Sequence, residues 1–125
     1  VGAIVVLNGK IIGRGHNLRE DSNDPTAHAE IIAIREAARQ LQGWRLQGAT
    51  LYVTLEPCPM CAGALLQSKV ERVVYGADDY KAGSAGSLLN ILQFPGFNHQ
   101  VKIIGGVLAD ESKEILQDFF RKKRE

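Results

Sequence analysis

Two short motifs constrain this chain more than anything else in it: His28-Ala29-Glu30, and Pro57-Cys58-Pro59-Met60-Cys61. Together they offer three soft or borderline metal ligands and one carboxylate left over. Structural zinc is almost always held by four protein groups, whereas hydrolytic zinc is held by three and keeps a position for water, so the set reads as catalytic. The spacing then restricts the fold. Residues two apart on a regular helix point about 200° away from each other, so His28 and Glu30 reach one metal only from a first helical turn, with the site beyond the helix end. Free backbone N–H groups there favour negative charge. Cys58 and Cys61, three apart, share one face at the start of a second helix, where the helix end and a metal together favour thiolates. Leu55-Glu56-Pro57 delivers that helix from a strand end, the usual place for sites in open α/β sheets.

A zinc ion with an open position lowers the pKa of its water from about 16 to roughly 7. Glu30 is then the candidate proton carrier, a role that typically contributes about 10² to 10⁴ in rate. Each part has a plainer reading. A lone Cys-x-x-Cys is also a redox pair or half of a structural zinc knuckle, and a glutamate in a first helical turn is also simply favourable with the helix dipole. A fourth ligand from His16 or His99, the only other histidines, would make the site structural.

The 125 residues are 45% hydrophobic, which fits one zinc-site domain over 1–125 with enough apolar surface for a core. No run approaches the roughly 18 apolar residues of a membrane span, and the start lacks a signal-peptide layout, so a cytoplasmic protein without membrane contact is expected. Both cysteines sit in one motif, as a reducing compartment favours. A net charge of +1 excludes a wholly basic nucleic-acid binder, so any RNA surface is local.

Residues 1–7 and 11–15 flank Asn8-Gly9, the dipeptide best suited to a two-residue hairpin turn. Residues 17–26 read as a polar loop, and Ala27, Ile31, Ile34, Ala38 and Leu41 as the apolar stripe of a helix that Gly43 ends. Strands are expected over 50–55, 72–76 and 101–104, with a short helix over 58–68 and a glycine-containing loop over 82–86. Asp110 can cap a last helix with an Ile115, Leu116, Phe119, Phe120 stripe and an Arg121-Lys122-Lys123-Arg124 end. Two adjacent phenylalanines cannot both face one core. Strands alternating with helices predict a layered α/β domain with a mixed sheet, in which only the first hairpin is recognisably antiparallel.

The metal motif is shared by cytidine, cytosine, guanine and pterin-precursor deaminases, so it sets chemistry and not substrate. Gly15-His16-Asn17, residues 24–30 and 50–58, Gly83-Ser84-Ala85-Gly86-Ser87-Leu88-Leu89, Asn98-His99 and Asp118-Phe119-Phe120-Arg121 together resemble the bacterial tRNA-specific adenosine deaminases from Val1 to about Arg124. The resemblance implies a three-layer α-β-α, cytidine-deaminase-like fold with a five-stranded mixed sheet. It implies a homodimer with one Zn2+ per subunit, acting on adenosine at the wobble position of a tRNA anticodon stem-loop. His28, Cys58 and Cys61 match the family's ligands and Glu30 its proton shuttle. Asn17 and Asn98 fall where the family contacts the nucleoside, Lys81 in a loop approaching the anticodon, and Phe119 among substrate contacts. His99 is not a ligand in that family. The family ordinarily carries a helix ahead of the first strand, whereas Val1 opens directly in that strand; an upstream piece is expected to have been removed, with every matched catalytic residue downstream. A guanine or other free-base deaminase is the competing enzyme, and a zinc-stabilised RNA-binding module the competing non-enzyme.

Overall fold

The computed structural model describes residues 1–108; the helix expected over 110–124, with Phe119 and the basic end, lies outside the described residues. Asn8 and Gly9 take φ of 51° and 76°, and so turn β1 (Gly2–Leu7) into β2 (Lys10–His16). The pair is antiparallel, with a bulge between Val5 and Val6. β1 also pairs antiparallel with β3 (Thr50–Leu55), a second such pair beyond the hairpin expected. β3, β4 (Arg72–Ala77) and the three-residue β5 (Lys102–Ile104) run parallel, and the sheet order is β2-β1-β3-β4-β5. This is the five-stranded mixed sheet, opened by a hairpin, that the sequence predicts.

Alternation along the strands decides which face becomes core. Ala3, Val5, Leu51, Val53, Val73 and Tyr75 share one face and are buried with Ala29, Ala33 and Ala37 of α2 (Ala29–Leu41) and Ala62, Leu65 and Leu66 of α3 (Pro59–Gln67). Each fully buried leucine or valine there contributes about 1.5–3 kcal/mol relative to exposure. Both motif-bearing helices therefore pack on the same side of the sheet. On the other side Ile4, Tyr52, Val74 and Ile104 lie in register, and the first three line a groove of about 470 Å³ together with Leu108.

The face that α2 buries differs from the stripe expected. Ala29, Ala33 and Ala37 are buried, while Ile31, Ile34 and Ala38 are half-buried and Leu41 is exposed. The cause is in β2. A Cβ on Gly13 would sit 2.2 Å from the Ala33 carbonyl oxygen, and one on Gly15 2.1 Å from that of Ala29. Helix backbone rests directly on strand backbone, an approach that glycine facing alanine permits and isoleucine would prevent. The helix also ends earlier than expected: Gln42, at φ 53°, turns the chain out, and the Gly43 amide donates back to the Ala38 carbonyl. In the 17–26 segment a single turn, α1 (Arg19–Ser22), interrupts the loop, because the Asn17 Oδ1 accepts from the Arg19 amide and Leu18 O accepts from Ser22. Of residues 87–94, Ile91–Gln93 coil into a 3-10 turn started by Asn90, whose side chain accepts from the Gln93 amide.

No helix among the described residues is long and apolar enough to cross a membrane. Gly15→Ala should lower stability by about 1–3 kcal/mol, because the added methyl must lift α2 off β2. Gly2→Ala, with nothing within 4 Å of the added carbon, should change it by less than about 0.5 kcal/mol. Urea denaturation of the two variants checks the contrast.

Candidate metal centre and substrate loop

His28 is the N-cap of α2 and Cys58 the N-cap of α3, both in extended backbone with φ −71° and −74°. The His28 side chain makes no cap bond to its own helix, and its Nδ1 meets the Cys58 sulfur in the space between the two helix starts. Pro59 occupies the first turn of α3, where a missing N–H costs no helical hydrogen bond. The His28 Nδ1 lies 3.6 Å from the Cys58 Sγ and 3.5 Å from the Cys61 Sγ, and the three donor atoms fall within 4.8 Å of one another. A tetrahedral zinc, with Zn–N near 2.0–2.1 Å and Zn–S near 2.3 Å, needs nitrogen and sulfur about 3.5–3.6 Å apart. The donor set and its spacing fit that ion.

Electrostatics at the cluster follow from the two helix starts and from burial. Cys58 is pulled down to about 5, chiefly by the hydrogen bond from Cys61, with help from the Cys61 and Met60 amides and the His28 charge. That same bond pushes the Cys61 thiol up, as do burial and the nearby charges of Glu30 and Cys58. Two thiols thus share one proton, a state that a divalent cation relieves. Glu30, in the first turn of α2, is 4% exposed and lies beside Cys61. Burial raises its pKa above the usual carboxylate value of 4.5.

The other histidines are engaged elsewhere. His16 is exposed at the end of β2, and the His99 Nε2 lies 2.7 Å from the Val70 carbonyl. Among the described residues, then, three side chains could hold a metal ion here and no fourth joins them. The remaining sequence-predicted residues are placed unequally around it. The Leu18 amide donates to the Ala27 carbonyl, which holds Asn17 against the start of α2. Lys81 is exposed on the loop 78–87, and that loop is tied to the start of α3 through Ser84, whose amide donates to the Pro57 carbonyl. Asn98 is exposed in the turn before His99, and Phe119 lies outside the described residues. The groove on the opposite face of the sheet includes none of these side chains.

Sequence reasoning missed Glu56. It was read only as part of the strand-to-helix junction, yet it is 2% exposed and its carboxylate gathers the loop 78–87 around itself. Oε1 accepts from the Asp79 amide and the Ser87 hydroxyl, and Oε2 from the amides of Ala85 and Ser87. Burial works against its charged form, but the Ser87 hydroxyl and the Asp79, Ser87 and Ala85 amides outweigh it and lower the pKa. A signal was present in the glycine of Gly83-Ser84, where a Cβ would meet the Glu56 carboxyl carbon at 2.4 Å.

A mixed five-stranded sheet that brings His-x-Glu and Pro-Cys-x-x-Cys together at two helix starts is the arrangement of a nucleobase deaminase, and the family model for MafB19-like deaminases matches residues 1–124. The tRNA-specific adenosine deaminase of Bacillus subtilis (strain 168) is 56% identical over 124 residues, covering 99% of this chain and 77% of that one. A solved structure from a study of A-to-I editing by tRNA:A34 deaminases superposes with a TM-score of 0.87 at 45% identity, over 91% of this chain and 83% of that one. A guanine deaminase structure from Bacillus subtilis is more distant, with a TM-score of 0.63 at 34% identity over 93% and 76% of the two chains. This chain belongs to the tRNA-specific adenosine deaminase family.

The raised pKa of Glu30 has a thermodynamic sign. In the metal-free protein the folded state prefers the protonated acid, so stability is greatest below the unfolded value and falls as pH rises through the higher folded value. Metal-free Glu30→Gln should therefore resist urea better than metal-free wild type at pH 7, and the advantage should vanish by about pH 4, below the reference carboxylate value. Urea midpoints across that range check it.

Proposed function

We propose that this chain hydrolyses adenosine to inosine at the wobble position of a tRNA anticodon, releasing ammonia, and does so as a zinc-dependent homodimer in the cytoplasm. His28, Cys58 and Cys61 are the metal ligands and Glu30 the proton carrier. The observation that carries the reading is the convergence of one imidazole and two sulfurs at zinc spacing beside a buried carboxylate, with no fourth protein ligand among the described residues. A closed structural knuckle, and with it the non-enzymatic RNA-binding module, has no such vacancy.

His28, Cys58 and Cys61 would hold the zinc, which would make a bound water acidic enough to lose its proton near neutral pH. Glu30 takes a proton from the water as the water oxygen bonds to the amino-bearing carbon and delivers it to the adjacent ring nitrogen; it then takes the proton of the added hydroxyl and passes it to the amine, so that the C–N bond breaks as the carbonyl forms and ammonia leaves. The burial of Glu30 suits the task, since a carboxylate whose proton affinity is raised by desolvation is a better proton acceptor than an exposed one. The free N–H groups at the starts of α2 and α3 face the site and favour the anionic ligands. His28 and Cys58, as N-caps, hold their side chains at the helix ends, so the proton carrier in the first turn of α2 needs no rearrangement to reach the same space.

An anticodon loop is already single-stranded, so its base enters a pocket at low unstacking cost. Asn17, beside the start of α2, and Asn98 are the proposed nucleoside contacts; Lys81 meets the neighbouring phosphates from loop 78–87, and Phe119 adds a contact from the C-terminal segment. Dimerisation has support in the exposed Leu88 and Leu89 and in the exposed pair Phe94 and Phe97, whose rings lie 5.4 Å apart. Zinc-loaded protein incubated with an anticodon stem-loop bearing a wobble adenosine should yield inosine. No inosine at full zinc occupancy refutes the proposal, and faster turnover of free guanine than of the RNA would assign the chain to the guanine-deaminase reading.

Glu30→Ala should retain zinc and RNA binding while losing about 3 to 5 kcal/mol of transition-state stabilisation. Single-turnover rates, with zinc content measured on the same samples, check it. Cys61→Ala should instead lose the metal together with activity, because truncating a buried thiolate leaves two ligands where hydrolytic zinc uses three.

A further inference from the structure

The geometry points to Glu56 as a positioning residue that holds the loop 78–87 as one wall of the substrate site, so that its carboxylate governs how well the RNA is bound and not how fast the bound base reacts. The inference rests on the RNA-deaminase reading above. It starts from the number of bonds one side chain makes. Four donors from three residues of the loop converge on its two oxygens: the amides of Asp79, Ala85 and Ser87 and the hydroxyl of Ser87. All four are donors, so only a group that accepts at both oxygens satisfies them.

Other bonds tie the stretch at single points, the Ser84 amide to the Pro57 carbonyl, the Ile91 amide to the Ser84 carbonyl and the Tyr75 hydroxyl to Asp78, whereas Glu56 alone joins residues 79, 85 and 87 at one group. Among the described residues the stretch's only ladder contact is the isolated bridge between Ala85 and Asn90. The Asp79 side chain accepts from the Lys81 and Ala82 amides, and so shapes the turn that presents Tyr80, 76% exposed, and Lys81 to solvent. That turn hangs on Glu56 through the Asp79 amide. Gly83 lies across the carboxylate so closely that a Cβ would meet both the Glu56 carboxyl carbon and the Asp79 carbonyl oxygen at 2.4 Å. The loop is wrapped around the acid.

The metal side of the junction does not need the same side chain. Cys58 is held by α3, where its carbonyl accepts from the Ala62 amide and where Ala62, Leu65 and Leu66 are buried. The backbone at Glu56 is held by its own amide, which donates to the Ala77 carbonyl. Loss of the carboxylate therefore loosens the loop at Asp79, Ala85 and Ser87, while the Ser84–Pro57 bond and α3 leave the ligands where they are. Interactions made equally with the bound substrate and the transition state appear in KM and not in kcat.

The test compares zinc-loaded wild type with Glu56→Gln, Ser87→Ala, Lys81→Ala and the Glu56→Gln/Lys81→Ala double variant, measuring kcat and KM on an anticodon stem-loop and zinc per chain. Trypsin cleavage after Lys81 is followed in wild type, Glu56→Gln and Ser87→Ala. Glutamine offers one accepting oxygen in place of two. Glu56→Gln should raise KM about tenfold, leave kcat within about twofold, keep full zinc and speed cleavage after Lys81. Ser87→Ala should move KM and cleavage the same way by about threefold. The double variant should be no worse than the poorer single one, because both changes act through one loop. A fall in kcat at unchanged KM, loss of zinc, unchanged KM, or effects that multiply in the double variant would each overturn the assignment. Should Glu56→Gln not fold, Ser87→Ala decides alone, and an unchanged KM there is fatal. Wild type that makes no inosine refutes the function proposed above, whereas cleavage after Lys81 still reports on the anchoring.

Discussion

The structure depends on two helices starting at the same place. α2 and α3 leave one face of the sheet so that His28 and Cys58, each the last extended residue before its helix, meet across a gap of 3.6 Å. A first helical turn has unsatisfied N–H groups and a positive dipole end, and here two such ends share one small volume. That volume is costly for the protein to fill with anything but negative charge. The Cys58 thiolate supplies it, while burial and that neighbouring charge push Cys61 and Glu30 toward their protonated forms, a crowding that a cation would relieve. Thus packing, capping and acid–base behaviour at the cluster have one origin.

Much of this was legible because it rests on local rules. Asn8-Gly9 could hardly be anything but a two-residue hairpin turn, and the alternating strand from 50 to 55 is found at those residues. The His-x-Glu spacing allowed only a helix start, and His28 stands just ahead of α2 with Glu30 in its first turn. These inferences needed nothing beyond a dipeptide, a period or an angle of rotation.

What was not legible depends on who the neighbours are. The isoleucines of α2 made the stronger hydrophobic pattern, yet the alanines face the sheet because Gly13 and Gly15 bring β2 within backbone contact of the helix. Periodicity weighs side chains by their hydrophobicity, whereas this interface selects them by smallness. Glu56 was hidden for a related reason: four hydrogen-bond donors 23 to 31 residues downstream give it its environment, and no local pattern encodes them. Gln42 rather than Gly43 leaves the helix in left-handed backbone, a choice that glycine preference alone would place one residue later. Local grammar located the chemistry; long-range packing decided which surfaces support it.

Among the described residues, the order β2-β1-β3-β4-β5 leaves two strands without an outer neighbour, and both are poor templates for another chain. β5 is three residues long, and β2 carries exposed Lys10 and Arg14, has an extra residue, Ile12, where its register with β1 shifts, and is thinned by Gly13 and Gly15. Short, charged or irregular margins discourage the edge-to-edge stacking that leads to fibrils. The glycines that let α2 settle onto the hairpin thus also help keep separate molecules from zipping together, a colloidal benefit drawn from a packing requirement.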